Sequence, residues 1–300
     1  MPPTFRRAAN SCSSCGIRRR PEGAVMNLSD SEFIRYSRSL MLGEDGLERQ
    51  LRLKQARVLV LGLGGLGCPV ASTLVSAGVG ALTLIDGDVI ELSNLPRQSL
   101  YQTSDVGKPK AEVAAARLRQ QNPHSQLQVL KSRPDEQQLR EAAADCDVLV
   151  DCSDNLPTRL QLNRLARESG KPMFAGAVSG TSAQLYLLNR HSPCYQCLVD
   201  PDWQVLQNCR SMGVDPALVT LTAQQLAWLL LQYLQASPDQ IAQAIPFGQA
   251  NPVPFGQANS VPFGHYGRFA ASEHHIGFHW YPLQANPNCA CCGAVQQGAV

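Results

Sequence analysis

Short apolar runs alternate with helical patterns along the first half of the chain. Runs dominated by Leu, Val and Ile, bounded by polar residues or glycines, are typical of strands buried on both faces of a sheet. They predict strands at residues 57–61, 81–85, 127–130 and 148–150. Helical patterns between them predict helices at 69–78, 110–120 and 136–144. This alternation predicts an α/β fold around a mostly parallel sheet with right-handed crossovers.

The segments on either side of this alternation carry weaker patterns. A polar-capped helix is predicted from Ser31, and it carries Arg38. Residues 1–27 are rich in Ser, Arg and Pro and have no periodic apolar face, so we expect a disordered extension. Residues 28–300 are expected to form a single domain. The apolar run at 226–231 is far shorter than the ~20 residues that span a bilayer, and it predicts a buried helix.

A repeat interrupts the pattern at residues 245–264. Phe247, Phe255 and Phe263 occupy equivalent positions in three successive Pro/Gly-rich copies. The unit is too short to bury the surface that a solenoid repeat needs. We interpret it as a duplication that expands a surface loop of the domain, and a peptide-binding role is the alternative.

Composition narrows the class of protein. The 300 residues are 44% hydrophobic with a net charge of +2, which is ordinary for a globular protein with a sizeable core. This charge gives no reason to expect nucleic acid or a membrane as a partner. The N-terminal arginines are not followed by the apolar run of a secretory signal, so we expect a cytoplasmic protein.

A glycine-rich turn follows the first predicted strand. Gly62, Gly64 and Gly67 form G-x-G-x-x-G, with Gly65 inside it, directly before a predicted helix. Such a turn lets backbone N–H groups approach phosphate oxygens at the positive end of a helix. Asp86 ends the next strand, where a carboxylate accepts from a ribose hydroxyl. We therefore predict a nucleotide site, and a glycine turn kept only for close packing is the alternative.

The segments after Asp86 favour ATP over NAD. Residues 86–98 form a long polar excursion, and residues 107–110 add two lysines. These groups supply cations and amides that suit polyphosphate, whereas a dehydrogenase needs a hydride path and a proton donor. A nucleotide-dependent oxidoreductase stays as an alternative.

Two C-x-x-C pairs lie far apart in the sequence, at Cys194 and Cys197 and at Cys289 and Cys292. Four thiolates from two such pairs complete a tetrahedral zinc site with no open position, which predicts structural Zn²⁺. Cys291 leaves the ligand choice in the second pair open, and a redox pair is the competing interpretation. The other cysteines considered are assigned to an arm without function (Cys12, Cys15) or to the core (Cys68, Cys146, Cys152).

Taken together, these motifs resemble the ThiF/MoeB/HesA family of adenylyltransferases, bacterial relatives of the ubiquitin-activating enzymes. The resemblance covers about residues 28–234 and 267–293. Because it begins just after Met26, we expect Met26 to be the functional start of the chain. The resemblance rests on both cysteine pairs and on the segments RYSR at 35–38, GLGGLG at 62–67, SNLPRQ at 93–98, KPK at 108–110 and DCSDN at 151–155.

The resemblance implies a fold and an activity. The fold would be a Rossmann-like, mostly parallel sheet with flanking helices, followed by a smaller antiparallel and zinc-knuckle region. The activity would be ATP-dependent adenylation of the C-terminal glycine of a ubiquitin-like sulfur carrier ending in Gly-Gly, with release of pyrophosphate. A homodimer is implied, together with a sulfur donor of the cysteine desulfurase or rhodanese type.

The resemblance also implies roles for single residues. Asp154 would hold Mg²⁺, while Arg97, Lys110 and Asn94 would bind the phosphates beside the glycine loop and Asp86. An arginine matching Arg38 reaches the partner's ATP in this family. Taken singly, the cations could be solvated surface groups, and Asp154 could simply cap the helix that follows it.

Cys209 separates two branches of the family. The segment QNCR at 207–210 looks more like ThiF, in which the corresponding cysteine joins covalently to the carrier during sulfur transfer toward thiamine. A MoeB-like activation of the molybdopterin synthase carrier is the alternative. An unreactive loop cysteine remains open, as does a non-catalytic scaffold that binds zinc and nucleotide.

Overall fold

The structure, a computed structural model, describes residues 27–198, 213–237, 240, 263–272 and 275–293. The strands are β1 Arg57–Leu61, β2 Ala81–Ile85, β3 Gln126–Leu130, β4 Val148–Asp151, β5 Met173–Ser179, β6 Ser182–Leu188, β7 His265–Ser272 and β8 His275–Pro282. The α-helices are α1 Asp30–Leu40, α2 Gly46–Gln55, α3 Gly67–Ser76, α4 Lys110–Gln121, α5 Glu136–Ala144, α6 Leu156–Ser169 and α7 Pro216–Gln235.

These strands form one sheet in the order β3-β2-β1-β4-β5-β6-β7-β8. Neighbours are parallel from β3 to β5 and antiparallel from β5 to β8. Leu61 at the end of β1 is level with Ile85 of β2 and Asp151 of β4. The chain moves outward from β1 in both directions, and ligands bind at this kind of switch point in open α/β sheets. The predicted fold class is confirmed.

Helices cover both faces of the parallel part of the sheet. Successive side chains of a strand point to opposite faces. Val58 and Val60 accordingly pack in the core shared with α3, α4 and α7, while Leu59 and Leu61 pack in the core shared with α5 and α6. Burial on both sides explains why these strands are continuous apolar runs rather than alternating patterns.

Helix α7 contains the apolar run predicted to be buried. By length and composition alone it could cross a membrane, a test that the core helix of a globular protein also passes. It packs against α3 and β5, and 56% of its apolar window is buried in the fold. The expectation of a core helix agrees with this packing.

Most predicted boundaries agree with the structure, and two differences concern helices. The helix predicted from residue 69 begins at Gly67, because the last glycine of the loop already forms its first turn. Helix α2 was not predicted from the pattern, since it is mostly polar and buries only Gly46, Gln50 and Leu53.

The chain ends and the repeat are only partly described. Residues 1–26 and 241–262 lie outside the described residues, so the predicted extension, the domain bounds and most of the repeat stay predictions. The last repeat phenylalanine, Phe263, is buried, with its ring centroid 5.7 Å from that of Phe174 and 5.4 Å from that of Tyr233. The end of the repeat therefore belongs to the core rather than to a surface loop.

Candidate nucleotide-binding site and cysteine cluster

The glycine loop joins β1 to α3 at the carboxyl edge of the sheet. Gly62 has a φ of 91°, and a Cβ there would lie 2.7 Å from the carbonyl oxygen of Cys152. A Cβ on Gly67 would lie 1.8 Å from the carbonyl oxygen of Gly62. These two glycines are therefore required by the fold itself.

Gly64 and Gly65 occupy different surroundings. A Cβ on Gly64 would meet only Nε2 of Gln98, at an ordinary 3.6 Å, so packing does not require glycine there. A Cβ on Gly65 would lie 2.8 Å from Cγ1 of Val219 and 3.4 Å from Cγ of Arg97. The loop thus faces the Arg97 and Gln98 side chains, and close packing alone does not explain all of its glycines.

Asp86 follows β2 and holds the glycine loop. Its Oδ2 accepts from the backbone N–H of Leu63 at 2.7 Å, and its Oδ1 accepts from that of Asp88 at 2.8 Å. Burial raises the pKa of Asp86, while the charge of Lys110 and these two donors act in the opposite direction. The predicted ribose ligand therefore also organises the turn on which phosphate would bind.

Lys110 is the first residue of α4 and is buried. Its Nζ lies 3.3 Å from Oδ2 of Asp88, whose Oδ1 lies 3.1 Å from Nη2 of Arg133. Partial burial raises the pKa of Asp88, but the hydrogen bond from Arg133 and the charge of Lys110 outweigh it and hold this pKa below its usual value. Two cations and one fixed carboxylate thus stand beside Asp86.

A short 3₁₀ turn, Leu92–Asn94, carries the next predicted group. Asn94 is buried, and its carbonyl oxygen accepts from the backbone N–H groups of Arg97 and Gln98 at 3.1 Å. The Arg97 guanidinium donates to the carbonyl oxygen of Ser93 at 2.9 Å. Gln98 is 4% exposed, and its Oε1 has no hydrogen-bond partner among the described residues. This turn places the aliphatic part of Arg97 and one buried amide beside the glycine loop.

The loop after β4 lies directly against the glycine turn. The N–H of Cys152 donates to the carbonyl oxygen of Leu61 at 2.8 Å, and a Cβ on Gly62 would lie 3.0 Å from the nitrogen of Ser153. Asp154, two residues beyond Cys152, is exposed. The side chain of Asn155, not that of Asp154, caps α6 by accepting from the N–H of Thr158. The helix-cap alternative for Asp154 is therefore wrong.

Arg38 lies apart from this cluster within its own chain. It is exposed in the last turn of α1. Tyr36, two residues earlier, packs at the far end of α3, where a Cβ on Gly78 would lie 2.7 Å from Cζ of Tyr36. The ten residues of α3 span about 15 Å between the glycine loop and that end. The described residues give no contact between Arg38 and the cluster.

The four predicted zinc ligands come together. The Sγ atoms of Cys194, Cys197, Cys289 and Cys292 all lie within 4.8 Å of one another. The Sγ atoms of Cys194 and Cys289 are 3.6 Å apart, and those of Cys197 and Cys292 are 3.3 Å apart. Four thiolates at ~2.3 Å from Zn²⁺ in a tetrahedron require separations of about 3.8 Å. The arrangement fits a closed metal site.

The remaining cysteines lie beside the cluster, in the core or outside the described residues. Cys291 lies beside the cluster, where its Sγ accepts from Nδ2 of Asn163 at 3.4 Å. Cys68, Cys146 and Cys152 are buried, and burial raises the pKa of Cys68 to about 12. Cys209, with Cys12 and Cys15, lies outside the described residues, so its predicted role stays a prediction.

Several polar residues of this edge were not predicted from the sequence. Asp88, Arg133 and Gln98 belong to the cluster. Of these, Gln98 adjoins Arg97 in the motif that carried the resemblance, so its position could have been noticed. Asp151, Arg159 and Asn163 form a buried polar group behind the Asp154 loop. Nothing in the local pattern of α6 distinguishes Arg159 and Asn163 from polar residues on the surface.

Known proteins resemble this chain along most of its length. The model of the ThiF family matches residues 36–254. The sulfur carrier protein ThiS adenylyltransferase of Escherichia coli (strain K12) is 40% identical over 189 residues, which cover 62% of this chain and 75% of the relative. The molybdopterin-synthase adenylyltransferase of Salmonella typhimurium (strain LT2) is 37% identical over 223 residues, which cover 72% of this chain and 90% of the relative.

A solved structure has the same fold. The structure of Escherichia coli MccB with MccA-N7isoASN matches with a TM-score of 0.68 at 23% identity, and the match covers 86% of this chain and 75% of that one. At this identity the likeness concerns the fold alone.

The sheet and the glycine loop define a nucleotide-binding α/β protein whose cysteine cluster fits a metal site. The chain belongs to the ThiF family, because the family model covers well over half of it and the similar relatives share more than a third of their aligned residues. It is accordingly an adenylyltransferase, and ATP is the nucleotide that the family uses.

Proposed function

We propose that the protein adenylates the C-terminal glycine of a ubiquitin-like sulfur carrier ending in Gly-Gly. The observation that carries this proposal is the convergence of Lys110, Arg97 and the glycine loop on one edge of the sheet, next to Asp154. These groups suit the reaction because attack of a carboxylate on the α-phosphate of ATP builds negative charge, and cations fixed in advance stabilise it. Pyrophosphate leaves, and the carrier becomes an acyl-adenylate.

Each group has a part that its position supports. The N–H groups of the glycine loop and the start of α3 would bind phosphate oxygens. Lys110 and Arg97 would hold the charge that moves to the leaving pyrophosphate. Asp154, exposed at this edge, has oxygen atoms that Mg²⁺ prefers, and the bound ion would neutralise phosphate charge. Asp86 would accept from the ribose.

The cysteine cluster is proposed to hold structural Zn²⁺. Its four thiol groups complete a tetrahedron and leave no open position for a substrate. Free thiols among the described residues, Cys68, Cys146 and Cys152 included, suit a reducing compartment, so we propose a cytoplasmic location.

We propose a homodimer in which Arg38 acts on the nucleotide of the partner subunit. Helices α1 and α2 and their connection expose five large apolar side chains: Phe33, Ile34, Met41, Leu42 and Leu47. Such a concentration of exposed apolar groups favours an interface. A second copy docked on this surface would let Arg38 reach the partner's nucleotide, as the family resemblance implies.

The carrier is proposed to be ThiS-like, in the path to thiamine. The support is Cys209 in the segment QNCR, because a thiolate can capture an acyl-adenylate. A sulfur donor protein of the cysteine desulfurase or rhodanese type would supply the sulfur. Similarity to a molybdopterin-synthase adenylyltransferase keeps MoeB-like activation as the second candidate.

Exchange of labelled pyrophosphate into ATP tests adenylation. We expect exchange that depends on Mg²⁺ and on a carrier ending in Gly-Gly, and that disappears when the last glycine is removed. Absence of exchange with every carrier that ends in Gly-Gly would reject this class of substrate. Cys209→Ser then separates the branches: with a ThiS-like carrier it should keep exchange but lose thiocarboxylate formation, whereas retention of both favours the MoeB-like candidate.

A further inference from the structure

A buried ion pair lies behind the loop that carries Asp154. Nε of Arg159, at the end of the first turn of α6, lies 2.7 Å from Oδ2 of Asp151 at the end of β4, and their side chains are 6% and 0% exposed. Oδ1 of the same carboxylate accepts from the N–H and the hydroxyl of Ser153 at 2.9 and 2.6 Å. Nη2 of Arg159 donates to the carbonyl oxygens of Ser153 and Gly176 at 2.8 Å.

Both polar groups of the Ser153 backbone are therefore fixed. Asp151 holds the N–H, and Arg159 holds the carbonyl oxygen, which belongs to the peptide bond that leads into Asp154. A guanidinium bonded through several donors has one orientation only, and a buried arginine without its partners is costly. The direction in which the chain presents Asp154 thus depends on Arg159.

The other side of Arg159 faces the cysteine cluster. Its Nη1 donates to the hydroxyl of Tyr195 at 3.3 Å, and its Cζ lies 5.1 Å from the centre of the Tyr195 ring. Tyr195 stands between two of the clustered cysteines, Cys194 and Cys197. One helical turn after Arg159, Oδ1 of Asn163 accepts from the N–H of Tyr195 at 2.8 Å. Asn163 also donates to Cys291, so α6 is bonded to both knuckles.

We propose that Arg159 is a positioning residue for Asp154, and that Tyr195 makes this positioning depend on the folded cysteine cluster. The proposal rests on the proposed function, since it concerns the carboxylate assigned to Mg²⁺. It gives the cluster a second effect beyond stability: the closed knuckle fixes Tyr195, Tyr195 orients the guanidinium, and the guanidinium fixes the peptide before Asp154. Outer-shell partners of ligating carboxylates act in this way.

Two substitutions test the connection. Tyr195→Phe removes one hydroxyl and keeps the ring, and Arg159→Lys keeps the charge but loses the planar fork. We expect the Mg²⁺ concentration for half-maximal pyrophosphate exchange to rise roughly tenfold in Arg159→Lys, and in the same direction but less in Tyr195→Phe. Zinc content should stay at that of the wild type, while release of zinc to a colorimetric chelator should be faster in Tyr195→Phe.

Tyr36→Phe is the matched control. It also removes one buried tyrosine hydroxyl, which accepts a 2.8 Å hydrogen bond from Nδ2 of Asn122. This hydroxyl is remote from the glycine loop. Tyr36→Phe should lower the melting temperature comparably without changing the Mg²⁺ requirement or zinc release. If Arg159→Lys does not fold, the Mg²⁺ dependence and zinc release of Tyr195→Phe alone test the proposal. Unchanged Mg²⁺ dependence in the folded variants overturns this proposal, whereas absence of exchange in the wild-type protein rejects the proposed function itself.

Discussion

Lys110 and Asp88 form an ion pair at the carboxyl edge of the sheet, with Nζ 3.3 Å from Oδ2 and the lysine side chain only 8% exposed. The backbone N–H of Lys110 donates to the carbonyl oxygen of Asp88 at 3.0 Å, so the two residues are joined twice. Lysines are seldom buried so deeply, because desolvation of the ammonium group is costly. A buried lysine held next to the glycine loop is ready to bind an anion there.

Lys110→Ala should lower the rate of pyrophosphate exchange by roughly 10²- to 10³-fold, the effect expected on removing one fixed charge or donor from a site where negative charge develops. The fold should survive, because Asp88 keeps Arg133 as a partner. Lys171→Ala is the control: Lys171 is partly buried at the opposite edge of the sheet, where it donates to the carbonyl oxygen of Ala144. An equal loss of exchange in both variants would point to general destabilisation.

Asp154→Ala should abolish exchange and leave the melting temperature nearly unchanged. Asp154 is exposed and does not cap α6, so its removal opens no cavity and frees no helix end, while it removes the proposed Mg²⁺ ligand. Asp145→Ala, at an exposed position at the other end of β4, should keep full activity. Retention of most of the exchange rate in Asp154→Ala would refute the assignment.

The sequence predicted the parallel strands β1 to β4 well, because buried strands such as β1 and β2 are short apolar runs with clear ends, but it did not predict β5, which is parallel to β4. It predicted α2 poorly, since most of that helix is polar and its single buried leucine, Leu53, gives no periodic face. The antiparallel strands β6 to β8 came only from the family resemblance. Their pairing joins segments far apart in the chain, which no local pattern encodes.

In the candidate site, too, local sequence predicted some residues and missed others. Gly62, Asp86 and the cysteine pairs were recognisable because their chemistry is tied to fixed spacing in the sequence, whereas the role of Lys110 came from the family resemblance. Arg159 and Asn163 were not recognisable, because a polar residue on a helix is usually solvated, and only the folded chain shows that these two face inward. The proposed role of Arg38 came only from the family resemblance, because that role depends on a second copy of the chain.

Cys194→Ser should remove the metal and lower stability together. A thiolate cluster that closes two distant segments couples metal binding to folding, so we expect about one zinc per wild-type chain and far less in the variant. Cys146→Ser provides the control, since Cys146 is buried beside Thr83, away from the cluster, and should keep its zinc. Metal analysis of freshly purified wild-type protein that finds no zinc would contradict the proposed site.

The glycines of the loop allow phosphate binding to be separated from packing. Gly67→Ala would place a Cβ 1.8 Å from the carbonyl oxygen of Gly62, a backbone atom that cannot move aside, so unfolding should become easier by about 3 kcal/mol. Gly64→Ala meets only Gln98 at 3.6 Å and has no positive φ to prevent it, so the fold should be as stable as the wild type, or more stable by roughly 0.4–1 kcal/mol.

The substitution that leaves stability unchanged, Gly64→Ala, should be the one that weakens nucleotide binding in a folded protein. A methyl group on Gly64 occupies the space through which phosphate approaches the backbone N–H groups, so Gly64→Ala should weaken ATP binding more than tenfold, as measured by calorimetry, despite its normal melting temperature. Ser72→Ala, in the helix α3 that follows the loop, is the control for a small substitution away from the glycine loop. Normal ATP affinity in Gly64→Ala would mean that the phosphates do not approach this glycine. The alternative, a glycine turn kept only for close packing, would then be favoured.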